Sequence, residues 1–173
     1  MLDWTAIENA LVVWVEHTLG EGQVIWADQE GPQPDMPYAT LKITGRRSMT
    51  PTPELHHYTD LGNPAGEEVE QTVIDHQEIT VSCQVFALNT TGAKTARDLL
   101  GRVRMSIFLP ARLTALREAG LALVEAGDTQ DLTALLETTW QSRAALDVRF
   151  NTVDTATEKT GYIETVSATG SYT

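Results

Sequence analysis

The sequence predicts an α+β fold: a single largely antiparallel sheet packed against an N-terminal helix and a central helix, with a long loop between two central strands. Three observations predict it. Apolar residues recur at helical spacing in two separate stretches, period-two alternation runs through two long segments (73–87 and 140–151), and the patterns come in the order helix, strands, helix, strands. At 173 residues, 42% hydrophobic and 21% charged, the chain has the composition of one globular domain spanning 1–173. A domain of that size buries roughly 70% of the surface its unfolded chain exposes, so one core suffices.

Ile7, Ala10, Leu11, Trp14, Val15 and Thr18 fall on one face of the first helix, with Asp3 placed as its N-cap and Gly20 as its stop. The β-rich run Val24 to Ala27 follows, then the turn-rich segment Gly31 to Pro37, which no helix crosses because its prolines lack amide donors. From Tyr38 to Thr44, Ala39, Leu41 and Ile43 alternate with Tyr38, Thr40, Lys42 and Thr44, giving a strand with one buried and one wet face. Gly45 to Gln71 holds prolines, glycines, Arg46-Arg47 and His56-His57 without sustained periodicity, and reads as a long extended loop, functional or disordered. In the next strand, Ile79, Val81, Cys83 and Val85 face one way and Glu78, Thr80, Ser82 and Gln84 the other. Pairing it with the strand ending at Thr44 makes an antiparallel ribbon whose connection is the long loop.

Thr91 is placed to cap a helix with the stripe Ala96, Leu99, Leu100, Val103 and Ile107; Pro110 either ends it or opens a second short helix through Leu113 and Leu116 to Gly120. Leu121 to Glu125 reads as a short strand and Asp131 to Leu136 as a turn-like or helical piece. Trp140 to Asn151 reads as a strand alternating through Ala144, Leu146, Val148 and Phe150, and a last strand lies around Tyr162 to Ala168.

Acidic residues outnumber basic ones 24 to 12, for a net charge of -12. That balance disfavours phosphate-neutralising contact with nucleic acid and allows a surface that DNA slides past. Cys83, the single cysteine, alternates with apolar neighbours and reads as a core residue, not a reactive thiol. The chain opens without a basic stretch leading into an apolar run, and no apolar segment approaches the roughly 20 residues of a membrane helix. No membrane partner is expected, and assembly belongs in the cytoplasm of the cell that makes the protein.

Metal spacing, nucleophile motifs and phosphate-binding loops give no convergent set, so no enzyme activity, cofactor or metal is expected. His56, His57, Asp60, Asp75 and His76 are the one group with ligand chemistry, which a small metal-dependent hydrolase would need. Adjacent strand residues point to opposite faces, and solvated loop histidines are the plainer reading. His17 ends the first helix, where its charge suits the dipole. Glu67, Glu68 and Glu70 form a charge run of the solvated kind. Lys94, Arg97, Arg102 and Arg104 make a basic helical face in an acidic chain, and Arg46-Arg47 a second basic site at the root of the loop. Either fits an acidic partner surface. Trp4, Trp14 and Trp26 read as packing residues, not base-stacking platforms.

Three stretches together resemble the phage neck terminator family, which is similar to the tail terminators of long-tailed phages. They are Val24 to Gln29 with the Pro32–Pro37 turn and the strand to Ile43; Val81 to Ala87 running into a helix near Ala93; and Asp131 to Leu136 followed by Thr138 to Phe150. Trp26, Asp28, Tyr38, Trp140, Arg143 and Asp147 are the family-like structural positions. The resemblance implies a virion structural protein in a ring, usually hexameric, on the last layer of the tail tube. That ring ends tube polymerisation and docks the neck connector, with DNA only as passing cargo. Its partners are then its own copies, the tube protein and the connector; another tail or head-tail connector subunit is the alternative. By the same resemblance, the loop residues Arg46, Arg47, Met49, His56, His57 and Tyr58 are expected to contact the tube. Lys94, Arg97, Arg102 and Arg104 are expected at the ring interface.

Overall fold

A computed structural model describes residues 1–161 except 22, 30, 52–54, 63–68, 90–93 and 137–138. Helix α1 (Trp4–Leu19) begins where Asp3 Oδ1 accepts the Ala6 amide at 3.0 Å. It stops at Gly20, whose φ of 110° is strained for any residue with a side chain. Strands β1 (Val24–Trp26) and β2 (Tyr38–Ser48) follow, then β3 (Leu55–Asp60) and the long β4 (Val69–Leu88). Helices α2 (Ala96–Ser106) and α3 (Pro110–Glu118) precede β5 (Ala122–Ala126), β6 (Gln130–Asp131), β7 (Ala134–Leu136) and the long β8 (Thr139–Thr160).

The strands form one sheet in the order β1-β2-β4-β8-β5, with β3 attached to β4 and with β6 and β7 attached to β8. Among the described residues every pairing is antiparallel except β1 with β2. The spine is the β4–β8 pair, in unbroken register from Val69↔Thr160 to Leu88↔Gln141. Where Ile79, Val81, Cys83 and Val85 lie beside Phe150, Val148, Leu146 and Ala144, all eight are buried and the helices cover them. Ile7, Leu11, Trp14 and Val15 of α1, with Leu100 and Val103 of α2, complete that core. The Trp14 indole donates to the Val103 carbonyl at 3.2 Å, so its polar atom is satisfied inside.

Four expectations are corrected. The segment 45–71 is not simply loop: β2 runs on to Ser48, β3 occupies 55–60, and β4 already begins at Val69. The alternation is hidden there because neither face is apolar. The cap of α2 is Thr95, not Thr91, which lies outside the described residues. Thr95 Oγ1 accepts the Asp98 amide, Asp98 Oδ2 accepts the Thr95 amide, and the helix accordingly starts at Ala96, past Ala93. The piece from 131 to 136 is not helical: β6 and β7 pair with β8, and Asp131 Oδ1 makes the turn between them by accepting the Thr133 amide at 3.0 Å. Finally, β8 extends to Thr160, well past Asn151, while the last strand expected at 162–168 lies outside the described residues.

Candidate assembly surfaces

Beyond the helices, β3, β4 and β8 continue as a three-stranded arm. Its rungs run from Leu55↔Ile74↔Thr155 to Asp60↔Val69↔Thr160, a reach of about 20 Å at strand spacing. The root of the arm is polar. A bulge in β2 between Ile43 and Gly45 shifts the register, so Arg46 pairs with Ile79 on the helix side and Arg47 with Glu78 on the opposite side. Arg46 Nε donates to Gln77 Oε1 at 2.5 Å, its Nη2 meets Asp154 Oδ2 at 2.8 Å, and its guanidinium lies 5.5 Å from the Trp4 ring. Gln77 Nε2 in turn donates to Asp75 Oδ2 at 2.5 Å, and Ser48 Oγ to Asp75 Oδ1 at 2.6 Å. These two hydrogen bonds, the Ser48 one larger, hold the Asp75 carboxyl below the ordinary carboxylate range.

Of the residues expected at the tube contact, Arg46 is thus committed to the root. Arg47 is exposed and pairs with Glu78 at 2.9 Å. Met49 and Tyr58 are exposed, and His56 and His57 stand at β3 positions opposite Val73 and Thr72. Among the described residues no group of three or more His, Cys, Asp or Glu is placed to hold a metal. His17, at the end of α1, lies 3.0 Å from an Arg112 nitrogen.

On α2, Lys94 just before the helix, Arg97 and Arg102 are exposed. Arg104 is different: its guanidinium donates to the carbonyls of Gly127 at 2.8 Å and Ala126 at 3.2 Å, supporting the loop after β5 from within. That loop is close-fitting, because a Cβ on Gly127 would stand 2.9 Å from the Asp147 carbonyl oxygen. The contact is with the Asp147 backbone and not with its carboxylate.

The sheet face away from the helices holds two of the other family-like positions, Tyr38 and Arg143. Tyr38 stacks on Phe86 with ring centroids 4.8 Å apart, and Arg143 lies 5.2 Å from the Phe86 ring while donating to Gln84 Oε1 at 2.5 Å. Gln33 donates to the Tyr38 hydroxyl at 2.6 Å, and burial pushes the phenol above its ordinary pKa. Farther along, Glu78 sits between Arg47 and Arg149, and Arg149 also pairs with Glu125. Asp28 accepts from Lys42 Nζ at 3.0 Å, and Trp26 packs half-buried against the core. Trp140 is 57% exposed and pairs across the hairpin with Leu135, itself 54% exposed.

The residue-level reading missed one surface. Met105, Phe108 and Leu109, where α2 turns into α3, are exposed apolar side chains. The available signal was that Met105 falls off the stripe Leu99, Leu100, Val103, Ile107 while remaining apolar.

The fold defines a class: an α+β subunit with a strand arm, exposed basic residues at the start and middle of α2, and exposed apolar side chains. The chain belongs to the phage neck terminator protein family, whose family model matches residues 5–173, nearly the whole chain. It is a structural protein of the phage neck and tail. No curated protein matches it. No described helix is long and apolar enough to cross a membrane.

Proposed function

We propose that the chain closes into a hexameric ring at the head-proximal end of the tail tube, where it ends tube polymerisation and offers the docking surface for the neck connector. The observation that carries this reading is the arm, a sheet extension of about 20 Å beyond the helix-covered core on which Tyr58 is exposed, with Met49 exposed at its root. Arg47, His56, His57 and Tyr58 are the tube-contacting positions, with Arg46 stiffening the root. Lys94, Arg97 and Arg102 contribute the basic side of the ring interface, and Arg104 supports it from behind. The net charge of -12 suits a channel that DNA traverses without adhering. The protein works by binding, with no catalytic step or cofactor, and is assembled in the host cytoplasm.

Negative-stain electron microscopy of the purified protein, alone and mixed with tails lacking their terminal ring, tests the reading. Rings of uniform diameter, or caps that halt elongation at one tail end, are expected. Long filaments would make the chain a tube subunit, and protein that neither oligomerises nor binds tails would remove the terminator reading.

A further inference from the structure

Where α2 turns into α3, a shallow groove of about 480 Å³ runs beside the last turn of α1, lined by His17, Thr18, Arg102, Met105, Ser106 and Leu109. Met105 is 62% exposed there, and Leu109, its neighbour Phe108 and Val13, one turn before His17 on α1, are exposed as well. The groove is remote from the arm. Trp4 stands beside Arg46 at the arm root, and His17 is about 20 Å further along the same helix. A partner seated here does not compete with one at the arm.

The walls of the groove offer donors and positive charge. His17 Nδ1 lies 3.0 Å from an Arg112 nitrogen; a guanidinium only donates, so Nδ1 accepts and the ring proton sits on Nε2. Arg102 adds an exposed guanidinium at the border toward Lys94 and Arg97. The Ser106 hydroxyl is already spent on the Val103 carbonyl at 2.7 Å. Among the described residues no carboxylate lines the groove: Glu16 stands outside its wall, and Asp98, one turn before Arg102, is turned back onto Thr95 as part of the α2 cap. The surrounding stretch has the same sign, since residues 94–117 hold six of the chain's 12 lysines and arginines and Asp98 as their one carboxylate.

An apolar floor rimmed by donors fits an apolar side chain flanked by carboxylates. Other anions fit less well. A phosphate backbone supplies no aliphatic group for Met105 and Leu109, and a nucleic acid or an anionic bilayer brings an extended negative field against a chain of net charge -12. A short acidic segment presents its charge at the groove alone. We propose that this groove docks an acidic segment of a second protein, with an apolar side chain against Met105 and Leu109 and a carboxylate on the Arg112–His17 pair. The contact is separate from ring closure, and its test does not need a ring.

Fluorescence anisotropy of the full chain with a short fluorescein-labelled peptide alternating leucine and glutamate tests it. Net charge alone predicts that this peptide is repelled and that a leucine–lysine peptide binds, so a preference for the acidic one runs against the field of the whole molecule. That preference is expected, together with no binding of a serine–glutamate peptide, which keeps the charge and lacks the apolar groups. Met105→Glu, at an exposed position, is expected to abolish binding, and Arg112→Glu to weaken it roughly 10-fold or more by loss of a charged hydrogen bond. Arg97→Glu makes the same charge change at an exposed position outside the groove and is expected to leave binding unaltered, with unfolding transitions matching the wild type in all three. Equal loss in Arg97→Glu, preference for the basic peptide, or a wild-type chain that binds neither peptide overturns the proposal. Equal binding of the serine–glutamate peptide or of labelled single-stranded DNA would make this a general anion surface, and self-association that Met105→Glu removes but the acidic peptide does not displace would make it a contact between copies; each overturns it too. Peptide binding by a chain that never forms rings would leave this contact standing and remove the ring reading alone.

Discussion

The β4–β8 ribbon is one pair of strands held by two different kinds of chemistry. From Ile79 to Val85 and from Ala144 to Phe150, the helix-side residues are apolar and fully covered. Past Gln77 and Thr152 the same face turns polar, with Asp75, Asp154 and Arg46 joined by hydrogen bonds, and only the N-terminal end of α1 reaches it, through Trp4. The register continues through both halves without a break. Backbone pairing therefore sets the length of the ribbon, while burial sets which half is rigid. Local stability follows buried apolar contact, so the arm should open more readily than the core and remain adjustable at a partner surface.

Phe150 is fully buried opposite Ile79 in the apolar half of the ribbon. Phe150→Ala should cost about 3–5 kcal/mol in denaturant unfolding, through lost transfer energy and the cavity left behind. Val153, three positions along the same strand and 45% exposed, should lose less than about 1 kcal/mol on truncation to alanine. Similar costs at both sites would mean that Val153, at the arm root, is buried by something in solution.

A smaller global effect with a sharper local one is expected at Arg46. Its guanidinium is 41% exposed on the side chain, so solvent screens the pair with Asp154 and Arg46→Ala should lower global stability by about 1 kcal/mol or less. Hydrogen exchange should nevertheless accelerate in 69–75 and 155–160, because the residue ties those strands to Gln77 and Trp4, and stay unchanged in 79–87 and 144–150. Uniform acceleration would show that arm and core open as one unit.

The same division explains what the sequence made legible. Helices and core strands were readable where one apolar face repeats at a fixed period: Ile7 to Val15, Ile79 to Val85, Ala144 to Phe150. The arm was not, because Gln71, Thr72, Thr155 and Thr157 carry no contrast between faces, and 45–71 therefore resembled a loop. The β2 bulge compounds this. Extrapolating the alternation from Leu41 and Ile43 puts Arg46 on the wet face with Lys42, whereas the one-residue shift turns it toward Trp4. The capping threonine was misplaced because Thr95 and Asp98 form a capping box with aspartate in place of the more familiar glutamate. Among the candidate surface residues, Arg104 looked equivalent to Arg97 and Arg102 on a helical wheel. Only the path of the loop after β5 shows that it is satisfied internally.

The smallest expected effect is a pH dependence confined to the arm. Asp75 accepts from Ser48 and Gln77 at the arm root, and its folded pKa lies below the ordinary 3.8. A depressed carboxylate pKa contributes stability that is present above the unfolded value and is lost as pH falls through the folded one. The Cys83 thiol of the core half, at about 12, stays neutral throughout. Lowering pH below about 4 should therefore raise exchange in 69–75 before it affects 79–87, once intrinsic exchange rates are normalised. In Asp75→Asn the arm should already be loosened at neutral pH and show a shallower acid response. An unaltered response in that variant would show that Asp75 does not carry the acid sensitivity of the arm.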